Sequence, residues 1–276
     1  MLRVILIIFV AAALIIGIAF VWGYWRWATR TETLRSKLYG AMQSPIPATY
    51  DPHELDSLPS CVQRYLRLVL VPGQPIIREV YLEHEGEMDM SQDKWVPFTS
   101  KQYISTREPG FIWDARIAMF PGIHVHVHDA FVDGKGLLHA SVIGLITMME
   151  QSGSAFDYGE YLRWCAESAW YPTVLLPSQG ASWQPLTDTS ARVTFKNGSL
   201  TATLTVTFSP DGLMSTIRAE DRGREVNGTV VPTPWEGRWS NYIRMNGMLV
   251  PGTGEVAWIL KEGRKVYWKG RIANSE

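Results

Sequence analysis

The chain has 276 residues, a formal net charge of -1, two cysteines and 12 tryptophans. The near-zero charge gives no basic field for nucleic acid, and two widely spaced cysteines give neither a disulfide framework nor a zinc pattern. Aromatic residues make up 12% of the chain, a supply suited to half-buried strands and to ligand-lined cavities.

Residues 4–22 read VILIIFVAAALIIGIAFVW, and the run stays uncharged to Trp25. About 20 apolar residues are needed for a helix to cross a bilayer, and only a helix satisfies its own backbone there. Trp22, Tyr24, Trp25 and Trp27 follow, where aromatic rings favour the headgroup region. The run is too long for a signal-peptide core and no A-x-A-like site follows it, so residues 1–27 are expected to be an uncleaved membrane anchor. Arg26, Arg30, Arg35 and Lys37 follow the span and only Arg3 precedes it, a charge count that favours a cytoplasmic domain.

Residues 28–43 continue the helix as a stalk, and Pro45 and Pro47 end it, so 28–51 is expected to be stalk and linker. The remaining 52–276 is expected to be one soluble β-rich domain. Within it, residues 58–71 form a short amphipathic helix with Leu58, Val62, Tyr65, Leu66 and Val69 on one face. From Pro75 the period changes to two. Strands are expected at 80–90, with Gly86 a candidate bulge, at 94–105, interrupted by Pro97, and at 110–119 and 123–132. Asp133-Gly134 marks a hairpin, and 136–149 is a fifth apolar stretch.

A helix from an Asp157 N-cap to Trp170 comes next, ended by Pro172. Strands resume near Trp183 and at 191–196, 200–208, 213–220, 228–231, 238–245, 254–260 and 265–272. Asn197-Gly198, Asp211-Gly212 and Asn246-Gly247 punctuate them. Glu220, Asp221, Arg222 and Arg224 read as a solvated hairpin. The expected fold is mainly β with helices (α+β): an antiparallel open β half-barrel packed on one or two helices, after one transmembrane helix.

Three groups carry candidate chemistry. His124, His126 and His128 share one strand face, and an H-x-H pair there is a candidate zinc chelate through His124 and His126. The alternative is a strand face with Val125 and Val127 in the core. Asp129 points the other way. Glu160, Arg163 and Glu167 share one helix face, and Arg163 can pair with either carboxylate. They can bind a polar head group, act as acid and base, or lock the helix onto the sheet. Asp114 and Arg116 share the face opposite Trp113. Cys61 and Cys165 read as lone core cysteines that can also pair. No nucleotide, dinucleotide or hydrolase motif is present, so no cofactor and no catalytic residue are expected.

Several pieces together resemble one bacterial family of unknown function. They include residues 58–66, Trp95-Val-Pro-Phe98, Pro109-Gly-Phe-Ile-Trp113-Asp-Ala-Arg116, Asp133-Gly-Lys-Gly136, Tyr161-Leu-Arg163…Glu167…Trp170-Tyr-Pro172, Pro234-Trp235 and Val250-Pro251. The likeness covers most of 57–270, and the His124/His126/His128 series stands outside it. The order of strands, helix and further strands is also similar to the LolA/LolB-type lipoprotein carriers. That resemblance implies a half-barrel holding acyl chains, in the periplasm of a bacterial inner-membrane anchored protein, against the charge count.

The first functional expectation is therefore a membrane-tethered protein that binds a lipid or other apolar ligand. Its cavity residues would be Trp95, Phe98, Phe111, Trp113 and Trp183, with Arg163 and Glu167 at the mouth. A structural or partner-binding membrane protein without a ligand is the alternative, and a hydrolytic enzyme using Glu160, Glu167, Arg163 or the histidines is a third.

Overall fold

The computed structural model describes residues 1–40, 48–91 and 93–274. Of the linker expected at 44–51, residues 44–47, with Pro45 and Pro47, lie outside them. Helix α1 (Leu2–Tyr39) is one continuous helix, so span and stalk are a single rod. Its apolar first half is bare: Ile8, Ile15 and Val21 are exposed, and none of the most apolar stretch packs on protein. Among the described residues it is one helix long and apolar enough to cross a membrane.

The domain is built on a single antiparallel sheet of 13 strands among the described residues. Strands β1 (Glu79–Asp89), β2 (Trp95–Ser105), β3 (Gly110–Phe120), β4 (Ile123–Val132), β5 (Lys135–Val142) and β6 (Ile146–Ser152) make one meander. Helix α3 (Ser154–Ala166) follows it; the shorter α2 (Ser60–Val69) precedes it. The second meander is β7 (Ser182–Thr187), β8 (Ser190–Asn197), β9 (Leu200–Phe208), β10 (Met214–Val226), β11 (Thr229–Met245), β12 (Met248–Leu260) and β13 (Gly263–Asn274). Pairing of β1 with β13 joins the two into one open sheet with β6 and β7 at its edges.

Period-two patterning decides the faces. Leu82, Phe98, Ile104, Phe111, Trp113, Leu204 and Ile217 point inward and are buried with α2 and α3 in one core. Tyr65 of α2 packs on Phe208, and Tyr161 of α3 on Phe131. After α3 the chain turns through short 3-10 segments (Glu167–Trp170, Pro172–Leu175) whose residues are buried to the last one.

Several local expectations change. Asp157 lies inside α3 and Gly153 caps it; the Asp157 carboxylate instead accepts from the Gly136 backbone N–H at 2.8 Å. Gly136 is required there, since a Cβ would come within 2.5 Å of the Phe156 carbonyl. β2 runs unbroken through Pro97, and the β1 irregularity lies at Glu83/His84, not Gly86. The stretches 228–231 and 238–245 are one strand, β11. The segment 220–224 is the continuation of β10, not a solvated hairpin. A bulge between Ala219 and Arg222 exposes two successive residues and turns Arg222 inward, where it is 9% exposed. Cys61 and Cys165 are both free and buried.

Candidate functional site

The inner face carries a buried charged network. Arg163 of α3 donates to Asp129 of β4 at 2.5 Å and to Glu167 at 2.7 Å, and lies 4.6 Å over the Phe111 ring. Gln102 of β2 donates to Glu167 at 2.6 Å. Glu160, one turn earlier, takes Arg222 at 3.1 Å. Burial and the neighbouring Asp129 push Glu160 up to about 8, against the pull of Arg222 and Arg163. One oxygen of Glu160 and one of Asp129 are buried without another partner, and a proton shared between them satisfies both. With Glu160 protonated, two carboxylates face two guanidiniums and the cluster is neutral, which is what a dry interior requires.

What space remains on this face is small. A cavity of about 90 Å³ lies between Trp113, Arg163, Glu167, Trp170, Arg222 and Trp239. That is about three water molecules, far below the roughly 300 Å³ at which small-molecule pockets begin. His84 stands beside it, fully buried, with both ring nitrogens unpartnered and its ring 4.7 Å from Trp170. Burial holds its pKa down at about 3, so it is neutral.

Five of the seven expected ligand residues converge here: Phe98, Phe111, Trp113, Arg163 and Glu167. Trp95 lies instead under Lys269, 4.3 Å from the ring centroid, and Trp183 on edge strand β7 donates to the Leu175 carbonyl. Arg163 and Glu167 were legible as an i, i+4 pair. Asp129 and Arg222 were not matched to them, because their approach depends on sheet curvature and on the β10 bulge.

The outer face carries a second set of contacts, made by the lower half of α1. Trp27 stacks on His128 with ring centroids 3.9 Å apart, and on His139 at 5.4 Å. Its indole N–H donates to Asp114 at 2.9 Å. The Thr31 hydroxyl donates to the same carboxylate at 3.1 Å and shares a hydrogen bond with His128 Nε2 at 2.8 Å. Burial lowers His128 to about 3 and His126 to about 4. Leu38 closes the contact against Ile112, Ala130 and Val132. His126 and His128 are thus the seat of a helix. Among the described residues no group of three His, Cys, Asp or Glu is placed to hold a metal.

A groove of about 1160 Å³ crosses the sheet between β4 and β10. At its base lies a row of glycines in register, Gly86, Gly270 and Gly254, ending at Trp239. Side chains are excluded from this row: a Cβ on Gly270 would meet the Trp268 ring at 2.4 Å, and one on Gly254 the Trp239 ring at 2.7 Å. Pro97, Ala118 and the edges of the buried Phe98 and Trp239 rings are its apolar part; Arg116, Ala118 and His124 form the wall nearest α1. Arg116 lies 5.8 Å from the Tyr24 ring of the helix.

A model for a family of unknown function, DUF6920, matches residues 56–276. The chain belongs to that family. The match covers the stretch whose motifs resemble a bacterial family of unknown function. No curated protein matches the sequence. Among solved structures, the chain is similar to a LolA superfamily protein from Nitrosomonas europaea, with a TM-score of 0.40, 8% identity, and coverage of 78% of this chain and 93% of that one. It is also similar to a DUF1329 family protein from Desulfovibrio piger, with a TM-score of 0.36, 10% identity, and coverage of 82% and 90%.

Proposed function

We propose that this DUF6920 protein is a single-pass membrane-anchored binding protein that holds a lipid or other apolar ligand, and that the ligand lies in the groove rather than inside the half-barrel. The observation that carries this reading is the contrast of volumes: about 1160 Å³ in the groove against about 90 Å³ beside the Arg163 network and about 530 Å³ in a second pocket between Ile76, Tyr81, Trp170 and Met248. The inner face, where the sequence placed the ligand, is occupied by α3 and its ion pairs. The groove sets a limited apolar surface, Pro97, Phe98, Ala118 and Trp239, among polar and charged side chains that include Glu85, Glu87, Arg116 and Lys269. Such a mixed surface suits an amphiphile whose polar head meets the charged rim and whose chain lies on the apolar and glycine-lined part. Trp95, beneath Lys269 at the groove's flank, and Phe98 are the two expected ligand residues that belong to this reading.

A periplasmic location for the domain follows from the carrier-like reading and runs against the positive charges after the span. The test of the binding reading is extraction and mass spectrometry of lipid held by the full chain purified in detergent, beside an Ala118→Trp variant that fills the groove. A lipid retained near one per chain in the wild type and lost in the variant is expected. Equal lipid in both would contradict the reading.

A further inference from the structure

The end of the sheet from which α1 departs is apolar, and we propose that it is a bilayer-docking surface: the β3–β4 and β5–β6 hairpins rest in the membrane interface beside the anchor.

The helix fixes the level. At about 1.5 Å per residue, the uncharged residues 4–25 cover about 33 Å, the thickness of a hydrocarbon core and little more. The last turns of that run are therefore at the membrane surface. Gly23 belongs to them, and it is packed against the β5–β6 turn: a Cβ on Gly23 would come 2.2 Å from the Ile143 carbonyl oxygen and 2.9 Å from Leu145, and one on Gly144 would come 2.4 Å from the Gly23 carbonyl. Only glycine against glycine permits this approach. α1 continues unbroken to Tyr39 with Trp27, Thr31 and Leu38 seated on the sheet, so the domain has no hinge there on which to swing away.

The side chains at that level match. Ile146, Met148 and Met149 on β6 are 64%, 56% and 45% exposed. Met119 and Phe120, at the β3–β4 turn, are 44% and 62% exposed. In an antiparallel meander alternate hairpins fall at one end, so these two turns lie together. Ile143 adds a local sign. It adopts φ +48° in the three-residue turn Ile143-Gly144-Leu145, where asparagine or glycine is the ordinary choice, and a β-branched residue is strained there. An apolar side chain at a strained turn fits apolar surroundings. Exposed apolar groups on one edge of a water-soluble domain would otherwise favour association.

The experiment uses the full chain in phosphatidylcholine nanodiscs, spin-labelled at Phe120→Cys or Ile146→Cys, with Lys135→Cys near the opposite end as reference. Cys61 and Cys165 are buried, so they compete little for label. Collision with oxygen is compared with collision with a water-soluble nickel chelate. The proposal expects the oxygen-to-nickel ratio at 120 and 146 to exceed that at 135 several-fold, and to fall when Met148→Asp is added. Ratios equal to the reference would overturn it. So would spin–spin broadening at 146 that grows with protein per disc, which would mean that a second copy covers edge strand β6.

Discussion

Two helices grip the same sheet from opposite sides, and they are held by opposite electrostatic means. Inside, α3 is fastened by full charges, Arg163 with Asp129 and Glu167, and Arg222 with Glu160. Outside, α1 is fastened chiefly by a tryptophan, a threonine and neutral histidines around the Asp114 carboxylate, with one partly exposed ion pair, Arg30 to Glu150. In the inner cluster burial keeps a proton on Glu160; in the outer one burial keeps protons off His126 and His128. Two buried polar contacts in one domain therefore prefer opposite ends of the pH scale, and the comparison can be broken at either.

The largest effect is expected inside. Arg163→Ala leaves Asp129 and Glu167 buried without a counter-charge, and should cost about 3–5 kcal/mol in denaturant unfolding. A loss below about 1 kcal/mol would show that the network is solvated and that α3 is held by packing alone. Outside, Trp27→Ala should loosen α1 rather than the sheet. Truncating a buried tryptophan costs about 3 kcal/mol. Hydrogen exchange should rise along residues 27–39 while β1 and β13 keep their protection.

The pH predictions are smaller and separate the two faces. His128 has a folded pKa of about 3, below its usual value of 6.5. Above pH 6.5 neither state is protonated and it costs nothing. As the pH falls below 6.5 only the unfolded chain takes the proton, so stability drops, by about 2 kcal/mol near pH 5. His128→Asn should flatten that limb. Fully buried His84 acts in the same direction from the inner face. Glu160 is raised to about 8, so its contribution is complete below about 4.5 and is lost as the pH rises through about 8. Glu160→Gln should keep the neutral form at all pH values and gain about 2–3 kcal/mol at pH 9 relative to pH 6. An unchanged alkaline limb in that variant would remove the shared proton from the account.

Much of this was legible in the residues. The long apolar N-terminal helix, the period-two strands, the inward Trp113 and outward Asp114, and the turns at Asp133-Gly134 and Asn246-Gly247 follow from local chemistry and hold in the structure. The placement of Asp129 opposite the histidines also holds. Arg222 could not be placed, because one bulge reverses its face and nothing in Glu-Asp-Arg marks the bulge. The seat of α1 was missed although its signal was present: Trp27, Thr31, Leu34 and Leu38 recur at helical spacing on a stretch read as a polar stalk. The groove was beyond sequence reasoning. Gly86, Gly254 and Gly270 are far apart in the chain and become one row only through strand register.

The most direct test of ligand binding in the groove is photolabelling of the full chain in membranes with a phosphatidylcholine carrying a diazirine on its acyl chain, followed by peptide mapping. The account predicts adducts at Thr99, Ala118 or Thr253, which line the groove alone, in addition to those on α1. Adducts confined to α1, or placed on Trp113 and Trp170 of the inner face, would contradict it.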